Sequence, residues 1–179
     1  MVGAINRALE DLICTRHGEA VWQQIVARAH SDTEHFLNGA AYPPGITSAM
    51  INAATEVLDI PRNDFLEEFG EHTVWYANSI GYGDVLRLSG SNLTEFLLNV
   101  DQLRSRLEDG LLAVPLKVRC IREQPGCLRV CMSLEDSRWR PLVVGILTGL
   151  SNFYGTPVQM ARGTGELGCE SGDILVRMI

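Results

Sequence analysis

The apolar pattern of this sequence first changes its period near Gly110. Before that residue, apolar side chains recur every three or four positions, which is the spacing of helices with one buried face. After it, residues 116–120 and 127–132 alternate on either side of a turn at 123–126, and this predicts a β-hairpin. The later pattern predicts one more helix and two strands, over 139–154, 156–161 and 173–179. The fold class expected is α+β, an N-terminal helical lobe followed by an antiparallel sheet lobe with helices.

The helical lobe divides at residues that begin or end helices. Helices are predicted over 3–15 and 19–30, from Thr47 or Ser48 as a cap, from Pro61, and over 91–110. Gly70 lies inside the helix that starts at Pro61 and predicts a kink or a close approach there. The sequence Gly81-Tyr82-Gly83 is expected to end that helix, and Ser91 to cap the next.

Length and charge limit the classes of function. The chain has 179 residues, of which 46% are apolar, enough for one core, so we expect a single domain over residues 1–179. A net charge of −7 argues against binding to nucleic acid or to anionic membrane surfaces. No apolar run approaches the about 20 residues of a membrane span, so a cytoplasmic protein is expected. An odd number of cysteines, five, predicts reduced thiols.

The helix predicted over 91–110 carries a charge close to its apolar stripe. Arg104 points about 45° from the centre of the stripe that begins at Leu93. Its stem could lie on apolar neighbours while its head reaches water. Alternatively, the fold could present this guanidinium to a cavity. The helix pattern alone leaves both interpretations open.

Four segments together resemble a known family. They are MVGAINRALEDL from Met1, FGEHTVWYANSIGYGDVLRLSGSNLTEFLLNVDQL from Phe69, PLKVRC from Pro115 and RPLVVGILTGL from Arg140. They are similar, in order and spacing, to the haem nitric-oxide/oxygen-binding domain (H-NOX or HNOB), the sensor module of soluble guanylate cyclase and its bacterial relatives. The resemblance implies a helical distal lobe over 1–65, a proximal helix and sheet lobe over 66–179, and a ligand cavity between them.

The same resemblance locates the haem contacts, and this chain departs from most of them. The position of the iron-binding His falls on Arg104, and the Tyr-x-Ser-x-Arg motif for the propionates falls on Cys131, Ser133 and Glu135. Pro115 matches the Pro that presses on the porphyrin. A guanidinium has no lone pair for a metal, a glutamate repels a propionate, and Cys131 lacks the phenolic donor. Haem is therefore the cofactor that the resemblance implies, while its usual ligands are missing.

These departures favour a different ligand in the same cavity. An apolar pocket with a cationic head at Arg104 suits a hydrophobic carboxylate, a fatty acid being the simplest. The apolar residues expected to line it are Ile5, Leu9, Leu142 and Ile146. One alternative is a haem-binding gas sensor that uses His72 or Cys131 as axial ligand. Another is a closed, ligand-free interaction module in which Arg104 pairs with an acid such as Asp101 or Glu108.

By resemblance to stand-alone bacterial members, the output would pass to a signalling protein in trans, either a histidine kinase or a diguanylate cyclase/phosphodiesterase. No nucleophile, base and orienting acid stand at a spacing suited to hydrolysis, so an enzyme is not expected. Arg138 or Arg140 could supply an alternative cation for a carboxylate.

Three smaller patterns each have a structural explanation. His72 could approach iron from the distal side, but its polar neighbours favour a solvated helix surface. Cys127 and Cys131 share one side of a strand with Arg129 between them, so either a redox-responsive pair or unreactive, half-buried thiols would fit. Gly145-x-x-x-Gly149 predicts that another backbone packs closely against the late helix.

Overall fold

The computed structural model describes residues 3–43, 45–106, 118–132, 138–162 and 173–179, with the backbone alone at 101–106 and 162. In chain order the helices are α1 Gly3–His17, α2 Glu19–Arg28, α3 Ile46–Leu58, α4 Arg62–Ala77, α5 Gly83–Ser89, α6 Leu93–Arg106 and α7 Arg140–Tyr154. The strands are β1 Val118–Gln124, β2 Cys127–Met132, β3 Val158–Arg162 and β4 Ile174–Met178. The α+β class predicted from the sequence is confirmed, and the predicted helices and strands occur in the expected order, with α5 as an additional helix.

The four described strands form one antiparallel sheet in the order β1-β2-β4-β3. The predicted hairpin is present, with Cys120 opposite Val130 and the turn at Gly126, whose φ of 73° suits glycine. Strand β2 is central, and Val130 also pairs with Ile174 of β4. Residues on both faces of β2 are buried, Val130 on one and Arg129 on the other. The centre of this sheet is therefore covered on both sides.

Helices α4 and α7 form the most extensive helix contact of the fold, and glycines make it possible. A Cβ on Gly145 would lie 1.9 Å from the Glu67 carbonyl oxygen, and one on Gly70 would lie 2.2 Å from the Leu142 carbonyl oxygen. The two backbones thus touch, which larger residues would prevent. The prediction of close packing at Gly145-x-x-x-Gly149 is confirmed, and Gly70 is a site of close approach inside a continuous helix.

Two of the predicted helix caps are wrong. Helix α3 begins after Gly45 without a side-chain cap, because the Thr47 hydroxyl donates instead to Asn6 Oδ1 of α1, at 2.6 Å. Helix α6 is capped by Asn92, whose Oδ1 accepts from the Glu95 backbone N–H at 3.0 Å, while the Glu95 carboxylate accepts from both the backbone N–H and the hydroxyl of Ser91. The cap is therefore displaced by one residue from the predicted Ser91, and Glu95 bonds back to Ser91 in a variant of the capping box.

The helix from Pro61 is interrupted where the sequence predicted. Ile80 and Gly81 have non-helical dihedral angles, with a φ of 93° at Gly81, and α5 begins directly afterwards at Gly83. The glycine therefore bends the chain between two helices, and α5 was not predicted. No helix among the described residues is long and apolar enough to span a membrane.

Helix α4 contacts both α1 and α7, so its faces meet the N-terminal helices on one side and the late helix on the other. The buried apolar residues form one continuous core that includes residues from all seven helices and from strands β2 and β4. On the sheet side, α6 runs beside β1. The two predicted lobes are thus joined by a shared core.

Candidate functional site

The first half of helix α6 is held firmly in the core. Leu93, Phe96 and Leu97 are buried, and the Phe96 ring lies 5.7 Å from the Tyr154 ring of α7. The Tyr154 hydroxyl donates to the Leu86 carbonyl oxygen of α5 at 2.6 Å, and burial raises the pKa of this phenol to about 12. One tyrosine therefore ties α7 to both α5 and α6.

Most of the polar site residues predicted from the sequence lie outside the first half of α6. Arg104 belongs to α6, and its backbone continues the helix that Phe96 and Leu97 anchor. Pro115, Ser133 and Glu135 lie outside the described residues. The roles predicted for these four residues remain predictions.

The four predicted apolar lining residues all belong to the apolar core. Ile5 and Leu9 of α1 and Leu142 of α7 are buried in the continuous apolar cluster, and Ile146 packs against it. Helices α1 and α7 each contact α4, so membership of this large core does not by itself bring the two pairs together around a cavity. That they bind a ligand remains a prediction.

Cys131 lies half-buried near the end of β2, opposite Arg119 of β1. Arg129, between Cys131 and the buried Cys127, donates to Glu123 and, at 3.3 Å, to Asp173 Oδ2. These acids raise the pKa of the Arg129 guanidinium. Its charge is thus already shared with two carboxylates, which weakens the case for a thiol pair activated by this arginine.

The environment of His72 corrects its predicted solvated position. The ring is buried at the α1–α4 contact, with Nε2 2.9 Å from Asp11 Oδ2 and its centroid 5.1 Å from that of Trp75. Burial lowers the pKa of this imidazole, although the Asp11 carboxylate acts in the opposite direction. Nε2 is therefore occupied by a partner across the helix contact.

The remaining histidines offer no replacement on the proximal side. All four histidines lie in the first 72 residues, and α6 contains no His, Cys, Met or Tyr. His35 Nδ1 lies 2.9 Å from Glu10 Oε1, a bond that raises the pKa of the imidazole, and His17 and His30 are exposed. Among the described residues there is no group of three or more His, Cys, Asp or Glu that could hold a metal ion.

Arginines cluster where α7 begins. Arg62 and Arg138 both lie over the Trp139 ring, at 5.3 and 5.7 Å from its centroid. Burial, and then the nearby Arg138 charge, lower the pKa of the Arg62 guanidinium. Arg138 is thus engaged with an indole, and the role suggested for it as an alternative cation for a carboxylate stays a prediction.

Sequence patterns did not reveal the buried acid of α1. Glu10 accepts hydrogen bonds from the Arg7 side chain and the Phe36 backbone N–H, the latter at 2.9 Å, and contacts His35. It thereby joins α1 to the loop before α3. The only available signal was its position directly after Leu9 on the buried side of α1, because two of its partners are about 25 residues away in sequence.

Comparison with known proteins shows which family this sequence belongs to. The sequence model described as Haem-NO-binding, HNOB, matches residues 2–162. The chain belongs to the HNOB family. Two soluble guanylate cyclases of Caenorhabditis elegans are similar to this HNOB chain: gcy-34, 26% identical over 133 residues, and gcy-35, 23% identical over 170 residues. These matches cover 72% and 89% of the chain but only 19% and 24% of the cyclases.

Solved structures of the HNOB fold agree with this assignment. An H-NOX protein from S. oneidensis in the Fe(II)NO ligation state superimposes with a TM-score of 0.83 at 15% identity, covering 100% of this chain and 99% of that one. An unliganded Fe(II) H-NOX mutant from K. algicida gives a TM-score of 0.79 at 13% identity, with 100% and 97% covered. The chain therefore has the fold of a sensor domain of this family.

The donor set of this HNOB chain does not fit haem held by a proximal imidazole. Helix α6 contains no His, Cys, Met or Tyr that could bind iron, and no histidine follows residue 72 in the sequence. His72 itself meets Asp11 and Trp75. We therefore assign no step of the function to haem chemistry.

Proposed function

We propose that this chain is a ligand-sensing regulatory domain that binds a hydrophobic carboxylate, such as a fatty acid, in place of haem. The observation that carries the proposal is the absence from the sequence of any histidine after residue 72; by resemblance, Arg104 takes the family's iron-ligand position. A guanidinium cannot donate a lone pair, but it can form two parallel hydrogen bonds with a carboxylate.

The apolar part of the proposed site is supported by the core. Ile5, Leu9 and Leu142 bring apolar surface from both lobes into one cluster, which suits a hydrocarbon chain. Phe96 and Leu97 anchor the same helix that carries Arg104. A ligand that displaces this helix would also perturb the packing of α5 and α7, because Tyr154 of α7 contacts Phe96 and bonds to Leu86 of α5.

The output of the sensor is proposed to act in trans on a histidine kinase or a diguanylate cyclase/phosphodiesterase. The chain spans about a fifth to a quarter of the curated relatives that it matches, so their cyclase activity is not assigned to this domain. That the domain has no catalytic activity of its own and acts in the cytoplasm stays a prediction.

A comparison of two ligands, combined with a substitution of Arg104, tests the proposal. Titration calorimetry should show that a saturated fatty acid binds the wild-type protein at least about tenfold more tightly than the fatty alcohol of equal chain length. Arg104→Leu should remove most of that preference, because the carboxylate loses its partner. Arg106→Leu, two positions further along the same helix, is the matched control and should retain the preference.

Hemin binding tests the alternative that this chain binds haem. Wild-type protein mixed with hemin should give no sharp Soret band, and Arg104→His should acquire one because imidazole restores an iron donor. A stoichiometric haem complex of the wild-type protein would overturn the proposal and favour an unusual axial ligand. Equal affinity for acid and alcohol would also overturn it, because the carboxylate would then not be recognised. No binding of either would overturn it and favour the interaction module.

A further inference from the structure

One tryptophan of this chain lies on the surface. Trp75 of α4 is 56% exposed, whereas Trp22 is fully buried and Trp139 is 8% exposed. The Trp75 indole rests on the buried His72 ring, with 5.1 Å between centroids, and this ring is in turn held by Asp11. The exposed indole is therefore supported from beneath, and its open face is available for contact.

Trp75 lines two neighbouring surface grooves, of about 290 and 280 Å³, and Glu71 lines both as well. The first lies between α4 and α7, where Gly149 lets the two helices approach closely. The second lies between α4 and the end of α1. Together we call them the Trp75 surface, lined by Thr15, Arg16, Glu68, Glu71, His72, Val74, Trp75, Asn78, Gly149, Asn152 and Phe153.

The rim of the Trp75 surface is acidic. Asp64, Glu67, Glu68 and Glu71 follow one another along α4 at helical spacing, and Trp75 comes one turn later on the same stripe. Arg16 neutralises only part of this charge, through its 3.1 Å ion pair with Glu68. The Glu71 carboxylate accepts a hydrogen bond from the neutral Asn152 amide at 2.9 Å. An aromatic face thus adjoins an excess of carboxylates.

Other aromatic rings of this molecule are covered by arginine. Arg87 lies 4.9 Å from the Phe153 ring centroid, at one end of the groove, and two arginines lie over Trp139. Over the Trp75 ring, by contrast, no arginine or lysine of the described residues is positioned. A tryptophan is the ring that attracts cations most strongly.

We infer that the Trp75 surface is a docking site for a positively charged segment of a partner protein, with an arginine stacked on Trp75. A neighbouring basic side chain of that segment would meet Glu71, which lines both grooves. The charge selects this occupant: an anionic membrane and a second copy of this chain, with its net charge of −7, would both be repelled. The surface is separate from the proposed cavity, so the inference does not depend on which ligand the cavity binds.

The partner's chemistry can be tested with displayed peptides. A library of random peptides of about 15 residues, roughly four helical turns, is selected on the wild-type protein and counter-selected on Trp75→Ala. Enriched peptides are then measured by titration calorimetry. We expect a net positive charge with at least one arginine, and binding that weakens as NaCl rises from about 0.05 to about 0.5 M.

Variants locate the contact. Trp75→Ala should weaken binding of the enriched peptides by about tenfold or more. Trp75→Phe, which keeps a ring, and Glu71→Gln should each weaken it by about threefold. The matched controls lie on α5: Leu88→Ala removes a side chain that is 88% exposed, and Asp84→Asn removes an exposed carboxylate. Both should leave the affinity within about twofold.

Several results would overturn the inference. These are no enrichment, enrichment of acidic or uncharged peptides, and binding that Trp75→Phe and Glu71→Gln leave unchanged. Dimerisation that depends on Trp75, measured by sedimentation, would instead identify a second copy as the occupant. Flotation of the wild-type protein, but not of Trp75→Ala, with phosphatidylcholine vesicles would identify a membrane surface.

Discussion

The α4–α7 contact and the Arg129 cluster of the sheet are stabilised in opposite ways. At α4–α7 the stabilising feature is the lack of side chains, since Gly70 and Gly145 let carbonyl groups of the facing helix approach within van der Waals distance. In the sheet, a buried Arg129 joins β1 to the residue before β4 through Glu123 and Asp173. The first contact depends on shape and the second on charge balance, so the two should fail under different changes.

The largest effect is expected from filling the helix contact. Gly145→Ala would bring a Cβ to 1.9 Å from the Glu67 carbonyl oxygen, and α7 must then move away from α4. We expect a loss of about 3 kcal/mol in unfolding free energy, measured by urea denaturation.

Substitutions of two other glycines serve as comparisons for Gly145→Ala. Gly149→Ala should cost less, because its nearest contacts, the Val74 Cβ at 2.9 Å and the Glu71 carbonyl oxygen at 3.0 Å, are more distant than the Glu67 oxygen at 1.9 Å from a Cβ on Gly145. Gly39→Ala meets nothing within 4 Å and should be nearly neutral. Equal losses at Gly145 and Gly39 would refute the role given to close backbone approach.

The charge-based contact should be the next most sensitive. Arg129→Met leaves Glu123 and Asp173 without their shared cation, so the urea midpoint should fall clearly. Adding Asp173→Asn to that variant should recover part of the loss, because one of the two carboxylates is then neutral. The exposed Arg122→Met on β1 is the matched control and should leave the midpoint almost unchanged.

The cap of α6 offers a smaller, local test near the proposed site. Asn92→Ala removes the acceptor for the Glu95 backbone N–H, at a cost of about 1 kcal/mol. Ser91→Ala should cost less, since the Ser91 backbone N–H still donates to Glu95. A larger loss for Ser91 in thermal denaturation would contradict the assignment of Asn92 as the cap.

The smallest effect expected is a pH dependence of the unfolding free energy that arises from His72 in α4. Burial lowers the pKa of His72 in the folded protein, so below the ordinary imidazole pKa of about 6.5 the unfolded chain binds a proton that the folded chain does not. The contribution of His72 to stability should therefore decrease as the pH falls from about 7 to about 5.

His72→Gln isolates this dependence. The variant should show a shallower fall in unfolding free energy over the same pH range, because an amide cannot take up the proton but can still donate to Asp11. His35, whose pKa is raised by Glu10, contributes with the opposite sign in both proteins and cancels in the comparison. Parallel pH profiles would contradict the buried position of His72.

Local patterns predicted the elements of this fold well. Apolar periodicity gave α1, α4, α7 and the hairpin nearly as observed, and the Gly145-x-x-x-Gly149 spacing indicated the close helix contact. Capping was less predictable, because Thr47 bonds to Asn6, 41 residues away, and so does not cap its own helix. When a side chain has two possible hydrogen-bond partners, the fold decides which one it bonds to by bringing that partner close.

The order of the helices and strands, the family resemblance and the absence of any histidine after residue 72 could all be read from the sequence alone. Each depends on residue type and short spacing, which the chain carries before it folds. Only the tertiary structure decided the partners of His72, Glu10 and Arg129, and the exposure of Trp75. Those contacts join residues that lie far apart in the chain, and their burial depends on how the helices and the sheet pack together.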